Sequence, residues 1–206
     1  MEYIISALIG YLFGCLNTAK IVAKLKGVDI KKVGTNNAGA SNVFISVGKI
    51  YGVIAALGDI LKSFIACWIV FWLFNQNFGL AVFSGIMAVI GHIFPFWMKF
   101  NGGKGLASLM GVILFIDWSL FVFLGIILIV ITLATDYIAL GTLAVATFMP
   151  IYTALIKLDK LTENYVFAVS FAVLAVIIWY KHKENLVRIK NGTEIGFLRK
   201  NKTKKS

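Results

Sequence analysis

Charged side chains are scarce: Asp, Glu, Lys and Arg make up 14% of the 206 residues, against 60% hydrophobic ones and a mean hydropathy of +0.89. That balance lies far outside a soluble globular domain. It disfavours a soluble enzyme and a nucleic-acid-binding domain, although the net charge of +11 taken alone points toward nucleic acid. Cysteine is scarcer still. Cys15 and Cys67 both lie inside apolar stretches and read as small hydrophobes, which excludes a disulfide-rich secreted fold and leaves no metal framework. There is no Gly-x-Ser-x-Gly, no Cys/His metal spacing and no Glu-x-x-His, so covalent serine catalysis and metal hydrolysis have no residues to rest on. The first apolar segment has neither the basic start nor the small-residue cleavage site of a signal peptide, and is expected to remain as a mature helix.

Long apolar runs are what the chain has instead. Crossing a hydrocarbon core of about 30 Å takes roughly 20 mostly apolar residues per helix. The runs fall near residues 3–22, 51–74, 80–97, 106–116, 119–135, 138–156 and 165–180. All are expected to be helical, because an isolated strand cannot satisfy its backbone in lipid. The expected fold is therefore all-α: a polytopic membrane protein, one integral membrane domain over residues 1–206, with seven transmembrane helices and a short basic tail. The least obvious division is at Asp117, since 106–135 reads either as one long tilted helix or as two with a tight turn. A carboxylate at the bilayer midplane is costly, which favours the turn. The 11-residue fourth run needs shielding by its neighbours.

Basic residues orient the bundle, because they are retained on the cytoplasmic side. With the amino terminus outside, Lys24, Lys26, Lys31, Lys32, Lys49, Lys99 and Lys104 fall in cytoplasmic loops, and nine more basic residues follow Tyr180. The outer loops hold only Lys157 and Lys160. The carboxy terminus is then cytoplasmic, and the tail from Arg199 to Lys205 is placed to meet anionic head groups.

Three polar segments share that face. The first, Gly34-Thr35-Asn36-Asn37-Ala38-Gly39-Ala40-Ser41-Asn42, permits unusual backbone angles that let amides converge on a phosphate; standing alone it reads rather as a flexible loop. The second runs from Gly91-His92 through Pro95 to Lys99-Phe100-Asn101-Gly102-Gly103-Lys104-Gly105 and opens a helix. Glycines, a lysine and a helix amino terminus together can cradle phosphate, but the spacing is not that of a Walker A loop. The third follows the last span. His182 and Asn185 are three apart, so on a helix both face one side and both can donate to one substrate group; Arg188 and Asn191-Gly192-Thr193-Glu194 come next. The competing reading is a solvated basic tail. Within the spans, Asp59 and Lys62 read as a structural ion pair, and His92 as either a satisfied buried histidine or a site residue.

In this order and spacing the three segments resemble the bacterial acyl-phosphate:glycerol-3-phosphate acyltransferase family, PlsY. The family's first motif, approximately GSGN-x-GATN-x-x-R, is matched by GTNN-A-GASN-V-F-I from Gly34 to Ile45. Its second, GH-x-FP…KF-x-GGKG-x-A, is matched from Gly91 to Ala107. Its third, H-x-x-N…GTE, is matched by His182, Asn185 and Gly192-Thr193-Glu194. The resemblance implies acyl transfer from acyl phosphate to the 1-hydroxyl of glycerol 3-phosphate at the cytoplasmic face of a bacterial inner membrane, in phospholipid synthesis. It implies no cofactor, no metal and no nucleic acid; the partners are the two substrates, the bilayer and an enzyme that makes acyl phosphate. By that similarity Lys104, His182 and Asn185 are the catalytic candidates. Gly34, Thr35, Asn37, Asn42, Thr142 and Glu194 are substrate-binding candidates, as are Gly102 and Gly103 through their amides. The resemblance also implies that the acceptor's own phosphate serves as the base.

The departures are specific. Ile45 stands where the family has a phosphate-binding arginine, Thr35 and Thr142 replace serines, Asn36 replaces a glycine, Cys15 replaces a serine, and Asp136 stands where a basic residue is common. Lys31, Lys32 and Lys49 are the candidate substitutes for the missing arginine. A paralogue that has lost catalysis and binds a phosphate-bearing lipid precursor or partner enzyme, and a transporter of organic phosphate, are the other readings of the same segments.

Overall fold

The computed structural model describes residues 1–155 and 164–197, and over them the chain is helices and loops. In chain order the helices are α1 (Glu2–Cys15), α2 (Thr18–Leu25), α3 (Ala40–Ser46), α4 (Lys49–Leu73), α5 (Phe78–Ile93), α6 (Leu106–Ile116), α7 (Trp118–Thr135), α8 (Ile138–Leu155), α9 (Asn164–Lys181) and α10 (Lys183–Lys190), with a 3-10 turn at Phe96–Met98. Five helical stretches are long and apolar enough to cross a membrane, and a sixth if α9 and α10, bent by 48°, count together. This is a multi-pass membrane architecture. Lys157, Lys160 and the basic tail from Arg199 to Lys205 lie outside the described residues.

Three points on which the sequence reading was incomplete or open have physical causes. The first run is not one straight helix. Asn17 caps α2 by accepting from the Lys20 amide at 2.7 Å, and its Nδ2 donates to the Ala38 carbonyl at 3.0 Å, so the chain breaks at Leu16–Asn17. Secondly, α6 has 11 residues, about 16 Å at 1.5 Å per residue, about half the hydrocarbon thickness. Seven of those residues are buried, including Leu109, Val112 and Ile113, so α6 is an enclosed strut and does not reach spanning length. Thirdly, Asp117 does separate two helices, and it does so as a cap: its carboxylate accepts from the amides of Ser119 at 2.6 Å and Leu120 at 3.0 Å.

The helix α5 is the centre of the packing. Against it lies α1, in a register where Gly10 meets Ser84 and Gly14 meets Ala88 so closely that an added Cβ would fall 2.0 and 2.1 Å from their carbonyl oxygens. Both members advance by four, so α1 and α5 run in the same direction along a small-residue seam. Tyr11 Oη donates to the Phe94 carbonyl at 2.9 Å and Trp97 Nε1 to that of Cys15 at 2.8 Å, tying their carboxy-terminal ends. The core continues through α6 to α8 and α9 by way of Val89, Leu109, Ile113, Met149, Phe171 and Leu174. Along α7 from Val122 to Ala134 the residues left exposed are apolar, among them Ile126, Ile129, Val130 and Leu133, as a lipid-facing surface requires. The polar loops before α3, before α6, before α8 and after α9 meet at one end of this bundle. There Phe44 of α3 stacks on Phe197 with ring centroids 4.5 Å apart, and the Phe197 amide donates to the Asp136 carbonyl at 2.8 Å.

Candidate active site

The first polar segment is folded around Asn42, which is fully buried. Its Nδ2 lies 3.0 Å from the carbonyls of Ile30, Val33 and Asn37, and its Oδ1 accepts from the Thr35 amide at 2.9 Å and Ser46 Oγ at 3.1 Å. A carboxamide has two N–H groups, so nothing on Asn42 is left for a substrate. Gly34, at φ +58°, turns the chain where a side chain would collide with Asn42 Oδ1. Gly34 and Asn42 therefore build the loop and do not line the cavity described below; Thr35, Asn37, Ser41, Phe44 and Ile45 do.

In the second segment the amides of Gly102 and Gly103 are already engaged, donating to the carbonyls of Ile93 and His92 at 3.0 Å each. This corrects the expectation that they cradle an anion. The glycines are needed for close approach of a different kind, since a Cβ on Gly102 would sit 2.1 Å from the His92 carbonyl oxygen and one on Gly103 2.0 Å from His92 Nε2. The glycine loop is thereby folded flat against the end of α5, and of residues 99–105 Lys104 is the one whose side chain lines the cavity. Burial, helped by the nearby Arg188 guanidinium, pushes the Lys104 ammonium down to about 8, against the pull of Glu194 and Glu184.

The third segment begins at the bend between α9 and α10. His182 lies on that bend, and its Nδ1 donates to the Ile178 carbonyl at 2.8 Å, a tautomer assigned from this contact. Burial and the Lys104 charge push the imidazole down to about 4, so at neutral pH Nε2 accepts a hydrogen bond and does not donate one. Asn185 joins two partners: Lys104 Nζ donates to its Oδ1, and its Nδ2 donates to Glu194 Oε1 at 2.6 Å. Arg188 Nε donates to Glu194 Oε2, also at 2.6 Å. Gly192, at φ +68°, reverses the chain, and the amides of Thr193 and Glu194 both meet the Arg188 carbonyl, which brings Glu194 back over α10. The pair His182 and Asn185 is thus brought together as expected, but as one acceptor and one relay, not as two free donors.

These segments enclose one cavity of about 270 Å³. Its polar end carries Lys104, His182, Asn185, Glu194, Thr35 and Thr142; Thr142 Oγ1 donates to the Ile138 carbonyl at 2.8 Å. From there it continues along Val53, Ile60, Leu106, Met110 and Leu128 between α4, α6 and α7. Among the described residues no three His, Cys, Asp or Glu side chains are grouped so as to hold a metal ion.

Comparison with known proteins shows the family. The family model described as glycerol-3-phosphate acyltransferase matches residues 4–192. The chain belongs to that family. It is 40% identical to glycerol-3-phosphate acyltransferase 1 of Oceanobacillus iheyensis, over 92% of this chain and 92% of that protein, and 38% identical to the enzyme of that name from Thermosipho melanesiensis, over 94% and 92%. The crystal structure of PlsY (YgiH), an integral membrane glycerol 3-phosphate acyltransferase, in its glycerol 3-phosphate form superposes with a TM-score of 0.83 at 30% identity, covering 95% of this chain and 96% of that one. The lysophosphatidic acid form gives 0.81, again at 30% identity.

Seen as a glycerol-3-phosphate acyltransferase fold, the cavity has two features that the sequence reading missed or, for His92, left open. Ile45 forms part of the apolar wall, and none of Lys31, Lys32 or Lys49 lines the cavity; the guanidinium nearest in role comes from α10, where Arg188 reaches the same hydrogen-bonded chain through Glu194. Asp59 and His92 both line the cavity although they lie on α4 and α5. Their signal was present in the sequence as charged groups inside apolar helices.

Proposed function

We propose that this chain transfers a fatty acyl group from acyl phosphate to the 1-hydroxyl of glycerol 3-phosphate, yielding lysophosphatidic acid and inorganic phosphate. The observation that carries the reading is one cavity in which a buried lysine and carboxamide end passes directly into an apolar wall, which is what an anionic head with a long chain needs. Acyl phosphate is an activated anhydride, so positioning and charge neutralisation supply the rate without an acyl-enzyme. The hydroxyl oxygen adds to the carbonyl carbon, the carbon–oxygen bond to phosphate breaks, and phosphate leaves with the electron pair. Lys104 neutralises phosphate charge, His182 Nε2 accepts the acceptor's hydroxyl and aims it, and Asn185 holds Lys104 in place. Thr35, Asn37 and Thr142 offer further polar contacts, and Glu194 anchors Asn185. His182, held near 4, is a poor base and only orients the hydroxyl; as the new carbon–oxygen bond forms, the proton leaves its hydrogen bond to Nε2 for a substrate phosphate oxygen, whose second pKa is about 6.

The same reading places the chain in the inner membrane of a bacterium with seven spans, the amino terminus outside and the active site facing the cytoplasm. There α6 counts as a short span shielded by its neighbours, and an enzyme that produces acyl phosphate supplies the donor. Purified protein given acyl phosphate and glycerol 3-phosphate releases lysophosphatidic acid; no product, where another family member works under the same conditions, overturns the proposal.

Two further results follow from the geometry. Because an anion binds the ammonium form of Lys104, kcat/KM for glycerol 3-phosphate is flat from neutral pH and falls about tenfold per unit once pH rises above about 8. In Lys104→Arg that break disappears, because guanidinium stays charged; a break retained in the variant assigns the titration elsewhere. Ile45→Arg adds a guanidinium to the apolar wall beside the polar end. A charge-assisted contact to phosphate of about 1.5 kcal/mol lowers the KM for glycerol 3-phosphate about tenfold. An unchanged KM in steady-state assays means that the phosphate lies out of reach of α3.

A further inference from the structure

We propose that the buried cluster of Asp59, Lys62 and His92 sets the position of Lys104, acting as three positioning residues and not only as a neutralised pair within the bundle. All three side chains are buried. The Lys62 ammonium has three protons and three acceptors around it: the Leu16 carbonyl at 2.5 Å, Asp59 Oδ1 at 2.7 Å and His92 Nδ1 at 2.9 Å. Asp59 Oδ1 is also 3.4 Å from His92 Nδ1. An ion pair between residues three apart on α4 needs neither the histidine nor the broken end of α1, yet this lysine holds both.

With Nδ1 assigned from its 2.9 Å contact as the acceptor for Lys62, the His92 proton sits on Nε2 and the plane of the ring is fixed. That edge of the ring faces Gly103, whose missing Cβ would lie 2.0 Å from Nε2. The backbone of the same histidine takes the Gly103 amide, and the next carbonyl takes that of Gly102. The residue before Lys104 is therefore pinned to His92 twice, by main chain and by ring. Asp59 and His92 line the cavity that Lys104 enters, so the chain of contacts from α4 through α5 to the glycine loop is short and continuous. A ring free to rotate would lift Gly103 and carry Lys104 off Asn185.

The effect on turnover rests on the reading of Lys104 as the anion-binding group; the effect on Lys104 itself does not. The deciding variant is Asp59→Leu/Lys62→Met, which removes both charges together and so leaves no uncompensated buried ion. In detergent its thermal midpoint stays within a few degrees of the parent, kcat/KM falls at least tenfold, and the rate at which trace acetic anhydride labels Lys104, read against Lys99, changes at least threefold. Should the double variant not fold, His92→Asn serves instead, since it keeps an acceptor for Lys62 while removing the ring edge from Gly103, and it gives the same two changes. A folded variant with unchanged Lys104 labelling and activity within twofold of the parent overturns the proposal. An inactive parent would instead indict the acyltransferase reading, and the labelling comparison would still decide the role of the cluster.

Discussion

Lys104→Met lowers kcat/KM for glycerol 3-phosphate by about 10²- to 10³-fold while leaving the thermal midpoint within a few degrees of the parent. Among the described residues Lys104 is the only Lys or Arg that lines the cavity, so no neighbouring cation stands ready to replace it. Losing a hydrogen bond to a charged group costs about 1.5–3 kcal/mol, and losing a donor aimed at developing charge costs about 2.7–4 kcal/mol. Because about 1.4 kcal/mol is tenfold, either loss alone is at least tenfold and the larger one approaches three orders of magnitude. Met keeps most of the aliphatic stem, so the packing of that stem survives and the loss is read as charge. Phosphate release from purified protein at saturating acyl phosphate measures it. A loss below threefold would place the anion away from this lysine.

What the sequence made legible divides by range. Hydropathy marks α4, α7 and α8 to within two residues at each end, and α6 at both ends, because lipid exposure is a property of a run of neighbours. The break at Asp117 was readable too, since capping by a carboxylate needs only the next few amides. The break at Leu16–Asn17 was not. It is held by Ala38 and Lys62, which are 21 and 46 residues away. The same limit explains the glycine loop: composition says that something approaches Gly102 and Gly103 closely, but only the fold says that it is the end of α5. For Asn42 the polar pattern was visible, and its partners, three carbonyls, the Thr35 amide and the Ser46 hydroxyl, were not.

Lys104, His182 and Asn185 were legible because each is a polar residue beside an apolar run, and because their motifs resemble one family. Their relation to one another was not legible. A lysine and a histidine in one anion site suggest two cations, yet burial, with the Lys104 charge beside it, holds His182 neutral, with its protonated nitrogen turned to Ile178. In the proposed reaction one cation and one neutral acceptor separate two tasks, phosphate neutralisation and orientation of a hydroxyl, that two cations would merge. The missing arginine at Ile45 has a related answer. The guanidinium of Arg188 does not enter the cavity, but by fixing Glu194 it fixes Asn185, and through Asn185 the lysine.

That chain of contacts predicts a large effect from a substitution that alters almost no volume. Asn185→Asp lowers kcat/KM by at least 10²-fold at pH 7.5. The new carboxylate oxygen replaces Nδ2, which now donates to Glu194 Oε1 at 2.6 Å; two carboxylates at that distance cannot both stay ionised without separating. The ion pair between the introduced carboxylate and Lys104 also cancels the charge meant for phosphate. Both faults are relieved when one carboxyl takes up a proton, since the acid form donates where the amide did. Activity of the variant relative to the parent therefore rises as pH falls from 8 toward 5, the reverse of what simple damage to the fold produces. Adding Glu194→Gln supplies an amide donor to the new carboxylate and recovers about tenfold at pH 7.5, although Lys104 stays partly neutralised. If Asn185→Asp keeps more than a third of the parent's kcat/KM at neutral pH, or if its deficit is the same at pH 5.5 and 8, the carboxamide is not the link between Glu194 and the lysine.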